Sequence, residues 1–178
     1  EKGYHCILAA RSEDKLEKLA QSLCNDGFDC SVLIVDVGNE SSVDALFEAS
    51  AKIGHVSLVI NNAGLGVFSK IEESTVEDWD AQINVNLRGS FLVSRKFIPA
   101  MQSQTMGTLV FMNSVAGNFG YPYSAAYVAS KFGLRGLSDS LRNELRKDNI
   151  KVISVHPGAI DTAFWDDISV DFPREEML

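Results

Sequence analysis

Positive charge is scarce in this sequence. Sixteen lysines and arginines stand against 24 aspartates and glutamates, for a formal net charge of −8. No basic run interrupts that deficit, so nucleic acid is not an expected partner. An anionic ligand would have to be held by local features, against the overall field. Cysteine is scarcer still. Cys6, Cys24 and Cys30 are the only three. Their spacing fits neither a zinc site nor a redox motif, so they are expected to be small, buried or half-buried thiols in a reducing cytoplasm. The histidines, His5, His55 and His156, form no plausible ligand set. Asp166, Asp167 and Asp171 lack the spacing of a calcium loop. No metal is therefore expected. No apolar run nears the roughly 20 residues that span a bilayer. Glu1-Lys2-Gly3-Tyr4 does not read as a secretion signal, and a cytoplasmic location is expected.

What is present is the composition of a packed chain. It is 46% hydrophobic and 22% charged over 178 residues, too apolar for disorder and of a size for one domain. Short β-branched or apolar runs alternate with amphipathic stretches. Strands are predicted over residues 4–10, 30–35, 56–60, 108–113 and 151–155. Helices are predicted from a Ser12 cap to Gly27, over 41–53, over a long region 76–101, and over 124–147. Alternation of strand and helix, with continuous apolar strands, predicts a doubly wound parallel sheet. The implied architecture is a single Rossmann-like, three-layer α/β/α domain. Ligands of such sheets sit at the C-terminal ends of the strands, so those ends are the places to look for chemistry.

The first run ends Ala9-Ala10-Arg11. A carboxylate at such an end accepts bonds from an adenosine ribose. Here an arginine follows instead, and a guanidinium suits a 2′-phosphate. Arg11 thus favours NADP over NAD, the alternative being a solvated arginine at a helix start. The second run ends Val35-Asp36-Val37. Asp36 can accept from an adenine amino group while the Val37 N–H donates to the ring, or Asp36 can simply shape a turn. The third run ends Asn61-Asn62-Ala63-Gly64, where small residues let backbone approach a flat ligand. The fourth ends Met112-Asn113-Ser114, and the fifth runs into Pro157-Gly158 with Thr162 beyond.

Taken in order, Asn61-Asn62-Ala63-Gly64, Asn86, Ser114, Tyr127-Val128-Ala129-Ser130-Lys131 and Pro157-Gly158 resemble the short-chain dehydrogenase/reductase family. Tyr-x-x-x-Lys alone is weak, because each of these residues has a bland reading on its own; the ordered set carries the resemblance. It covers nearly the whole chain, but lacks the family's opening strand and glycine-rich turn and its final elements. The chain is therefore expected to be a truncated piece of its parent.

The resemblance implies interconversion of a carbonyl and a secondary alcohol by hydride transfer, with Asn86, Ser114, Tyr127 and Lys131 as the catalytic set. Tyr127 would be the general acid/base. A free phenol has a pKa of about 10, and the Lys131 ammonium, four residues on along one helix face, is expected to lower it. Ser114 would donate to the substrate oxygen. Asn86 would anchor a water relaying protons to Lys131, and Lys131 would hold the nicotinamide ribose. Arg11, Asp36, Val37, Asn62, Ala63, Gly64, Tyr127, Lys131, Pro157, Gly158, Ile160 and Thr162 would bind the cofactor, Thr162 and the Ile160 backbone at the carboxamide. His156 would pack near it. Residues 164–178 would belong to a substrate lid. Phe119, Tyr121 and Tyr123 would line a substrate pocket or pack in the core. The partner is a small carbonyl or alcohol compound, and the parent is expected to be a homodimer or homotetramer. Two alternatives stay open: a non-catalytic dinucleotide-binding module, and an inactive fragment.

Overall fold

The runs Cys-Ile-Leu-Ala-Ala and Cys-Ser-Val-Leu-Ile form strands β1 (Cys6–Ala10) and β2 (Cys30–Ile34) in the computed structural model, which describes residues 3–166. They pair in parallel, Cys6 opposite Cys30 and Ala10 opposite Ile34. The crossover that parallel pairing requires is helix α1 (Glu13–Asn25). Ser12 stands at the N-cap position, but its side chain makes no capping bond, so it marks the helix start without closing it. Glu13 and Asp14 supply the favourable charge there instead. Gly27, at φ +82°, carries the chain out of the helix through left-handed space. Helix α2 (Glu40–Ile53) has a working cap, the Asn39 carboxamide accepting from the Ser42 N–H at 3.1 Å. Cys6 and Cys24 are exposed and Cys30 is half-buried. Cys30 meets the expectation of a half-buried thiol, and Cys6 and Cys24 correct it: Cys6 begins its strand and Cys24 lies in the last turn of α1. These elements make one compact unit, Glu1–Val56.

A second unit, Ser57–Leu178, holds strands β3 (Leu58–Asn61), β4 (Gly107–Met112) and β5 (Ile150–Val155). They pair in parallel with β4 in the centre. Alternation decides which side chains face the helices. Gly107, Leu109 and Phe111 of β4 are buried, as are Ile150 and Val152 of β5. They pack with Met101 of helix α4 (Ser90–Ser103) and Leu134 of helix α5 (Ala125–Glu144) into one core. The opposite face of these strands carries Leu58, Ile60, Ile153 and Val155, which are exposed. Parallel strands joined by helices in both units give the expected Rossmann-like α/β fold.

Two long predicted helices are subdivided. The region from Val76 to Met101 is α3 (Val76–Gln82), a π-helical stretch Ile83–Gly89, and then α4. The widened turn coincides with Asn86, whose side chain is engaged outside the helix and whose carbonyl accepts from the Ser90 hydroxyl at 3.1 Å. Single π turns of this kind gather at functional sites. The other helix, α5, ends at Glu144 and passes through a 3₁₀ turn, Leu145–Asp148, to left-handed Asn149. Among the described residues, no helix is long and apolar enough to cross a membrane.

Candidate active site

Helix α5 sets Tyr127, Ser130 and Lys131 within about one turn, and the turn after β4 brings Ser114 to them. The Ser114 hydroxyl lies near enough to the Tyr127 phenol to favour its ionised form. Lys131 is buried at 6% exposure, and its Nζ lies 5.5 Å from the Tyr127 ring centroid. That ammonium donates to the Met112 carbonyl at 2.8 Å, which anchors it on the end of β4. Close approach of the turn to α5 depends on Gly117. A Cβ there would lie 2.6 Å from Asn113 Oδ1 and 3.0 Å from the Lys131 carbonyl.

Burial governs both titrating groups. It pushes the Tyr127 phenol above its usual value, and the nearby Ser114 hydroxyl pulls it part of the way back. It lowers Lys131 to about 8. The expectation that Lys131 depresses Tyr127 is therefore corrected: the phenol moves upward, because losing water outweighs the Ser114 hydroxyl, while the Lys131 ammonium is turned to the Met112 carbonyl.

Asn86 is fully buried and works as a clamp. Its Oδ1 accepts from the Leu65 N–H at 2.8 Å, and its Nδ2 donates to the Leu65 carbonyl at 2.9 Å and to the Ser130 hydroxyl at 3.0 Å. Gln82, one turn earlier, accepts from the Val67 N–H at 3.1 Å. Together they hold the loop after β3 against this helix. Sequence reasoning missed Gln82; its only signal was a glutamine one turn before Asn86, on the same face. His156 bridges the Ser154 hydroxyl at 2.9 Å and the Ser114 carbonyl at 3.1 Å, so it supports Ser114 from behind.

Ser114, Tyr127 and Lys131 open onto a cavity of about 400 Å³. Of the sequence-derived set, Asn62, Gly64, Ser114, Tyr127, Lys131, Pro157, Gly158, Ile160 and Thr162 line it, while Ala63 and Asn86 do not. Of the three candidate pocket aromatics, only Tyr121 lines it. Asn61 binds inward, its Nδ2 donating to Ser94 of α4 at 3.3 Å, so it ties strand to helix rather than strand to strand. Beyond β5, Trp165 Nε1 donates to the Ile160 carbonyl at 3.0 Å and folds that segment back on itself. Of the expected lid, residues 167–178 lie outside the described residues. Arg11, Asp36 and Val37 belong to the first unit. Arg11 is exposed, and Asp36 Oδ1 accepts from the Gly38 N–H at 2.9 Å, shaping a turn. Among the described residues, no cluster of three or more His, Cys, Asp or Glu side chains could hold a metal ion.

The cavity suits a flat polar ligand. Asn113 is 5% exposed and its Nδ2 is a buried donor with no partner. Gly64 borders the cavity as bare backbone, where a Cβ would stand 3.4 Å from Asn86 Oδ1 and 3.9 Å from Lys131 Nζ. An orphaned donor beside bare backbone is what a bound carboxamide or ribose would satisfy.

The chain thus combines parallel α/β units with Ser114, Tyr127 and Lys131 on a glycine-edged cavity, and residues 1–171 match the family described as short chain dehydrogenase. The chain belongs to that family. An uncharacterised oxidoreductase of Staphylococcus aureus is 35% identical over 164 residues, covering 92% of this chain and 70% of its own length. Sepiapterin reductase of Chlorobaculum tepidum is 32% identical over 173 residues, or 97% of this chain and 71% of that protein. In structure, the chain resembles an alcohol dehydrogenase from the archaeon Thermococcus sibiricus, complexed with 5-hydroxy-NADP. The TM-score is 0.87 and the identity 29%, over 99% of this chain and 74% of that one. The chain thus spans about 70% of the length of these curated relatives.

Proposed function

We propose that this chain carries the catalytic site of an NADP(H)-dependent oxidoreductase that interconverts a carbonyl and a secondary alcohol, with Tyr127 as the general acid/base. The observation that carries the reading is that Ser114, Tyr127 and the buried Lys131 line one cavity, with the Lys131 ammonium 5.5 Å from the Tyr127 ring centroid. Bound NADP(H) would supply or accept the hydride. Asn62, Ala63, Gly64, Pro157, Gly158, Ile160 and Thr162 would hold its nicotinamide half, with the Asn113 Nδ2 donor. Arg11, Asp36 and Val37 would hold the adenosine half, Arg11 at the 2′-phosphate. The bound 5-hydroxy-NADP of the archaeal dehydrogenase supports that cofactor.

In the reducing direction, Ser114 positions the carbonyl oxygen and Tyr127 gives it a proton. Lys131 then supports return of a proton to the phenolate, through the relay proposed at Asn86. A raised phenol pKa keeps Tyr127 protonated at neutral pH, which suits a proton donor. The parent enzyme is read as a cytoplasmic homodimer or homotetramer assembled through the helices bearing Asn86 and Tyr127. The reading is tested by incubating the protein with NADPH and a panel of ketones. The expected result is NADPH consumption matched by alcohol formed. Cofactor binding with no turnover of any carbonyl would replace this reading with that of a non-catalytic binding module.

A further inference from the structure

The wall of the cavity facing Tyr127 is aromatic. Phe68 stacks on Trp165 with ring centroids 6.2 Å apart and planes at 20°. It meets Phe164 edge-on at 6.3 Å and lies 5.5 Å from the Tyr127 ring. Phe164 in turn is 5.9 Å from Tyr127. Gly66 makes this closure possible: a Cβ there would stand 2.6 Å from Phe68 and 2.8 Å from Phe164. The rest of the lining is nearly without charge. Among the described residues that line the cavity, Lys131 alone carries a formal charge, and its Nζ is bound to the Met112 carbonyl. A carboxylate or phosphate on a substrate finds no second cation here, and an ammonium finds no acid. Burying such a group unpaired is costly, as is burying a row of unpaired hydroxyls. A flat apolar group instead gains both area and ring contacts.

We infer that the substrate is an uncharged ketone bearing an aromatic or comparably flat apolar group. Its ring sits against Phe68, Phe164 and Trp165 and its carbonyl oxygen lies at Ser114 and Tyr127. This rests on the oxidoreductase reading above. Reduction adds a hydride from NADPH to the carbonyl carbon and a proton from Tyr127 to the oxygen, yielding an aryl-substituted alcohol and NADP.

The test compares kcat/KM with NADPH for acetophenone, 2-butanone and phenylglyoxylate, the last keeping the ring and adding a carboxylate. Acetophenone is expected to exceed both by about tenfold or more. Phe68→Leu and Trp165→Leu should each cut the acetophenone-to-butanone ratio by about tenfold. Phe68 is buried, so the half-buried Trp165 provides the variant safer for folding. Binding of acetophenone is read separately by saturation-transfer NMR. Ring signals lost in Trp165→Leu support the inference even where no carbonyl turns over, a result that would sink only the oxidoreductase reading. Turnover with phenylglyoxylate preferred, or with an unchanged ratio in both folded variants, overturns the substrate class and leaves that reading standing.

Discussion

At the scale of single residues, Tyr127, Lys131 and Ser114 were legible as a set because their order along the chain is informative. Their electrostatics were not. The direction of the Tyr127 shift depends on how much water the fold removes and on where Lys131 Nζ points, and neither is written in a four-residue spacing. The lysine's lowered value has a consequence for stability. Its folded pKa of about 8 lies below the unfolded value of about 10.4. The fold therefore disfavours the ammonium, a penalty of roughly 3 kcal/mol fully present below pH 8 and relieved as pH rises toward the unfolded value. Lys131→Met is expected to raise stability at pH 7 by about 1–2 kcal/mol, the lost bond to the Met112 carbonyl offsetting part of the gain. The same change should abolish turnover. Urea unfolding at pH 7 and pH 9 checks this: the wild type should gain stability between the two and the variant should not.

The same group sets a pH profile. Lys131 holds its proton below about 8 and loses it above. In the reducing direction, kcat/KM is expected to be level below that pH and to fall beyond it. A profile rising through pH 8 would contradict the role given to the ammonium.

At the scale of elements, the strands and α2 lay within a few residues of where hydrophobic pattern put them, because apolar runs are local signals. The π-helical turn at Asn86 was not legible. It answers to a loop 21 residues away, through the bond to the Leu65 N–H. Gln82 escaped for the same reason. Gln82→Leu removes the acceptor for the Val67 N–H and should loosen the loop that carries Phe68. An increase in KM with kcat less affected, plus faster amide exchange at residues 65–67, is the expected outcome. Core packing gives a contrasting case. Leu134 is 1% exposed between α5 and the sheet, so Leu134→Ala should cost about 2–5 kcal/mol. Gly117→Ala sets a Cβ against the Lys131 carbonyl and should cost about 1–3 kcal/mol while also displacing Ser114.

At the scale of the whole molecule, a net charge of −8 offers no general attraction to an anionic dinucleotide. Affinity must come from local groups, which is the part proposed for Arg11. Replacing Arg11 with Ser is expected to lower the NADPH-to-NADH ratio of kcat/KM by about tenfold or more, since a charge-assisted phosphate contact is lost. An unchanged ratio would remove Arg11 from the site. Family and fold class were legible from the order of strand ends. The aromatic wall of Phe68, Phe164 and Trp165 was not, because Phe68 is far in sequence from the neighbouring pair Phe164 and Trp165 and meets them only when the segments after β3 and β5 fold back on α5.

The central claim, that proton transfer passes through Tyr127, is tested most directly by the Tyr127→Phe variant in steady-state carbonyl reduction with NADPH, alongside a cofactor titration. Turnover is expected to fall by about 10²–10⁴-fold with NADPH affinity largely kept. Near-normal turnover in that variant would contradict the assignment.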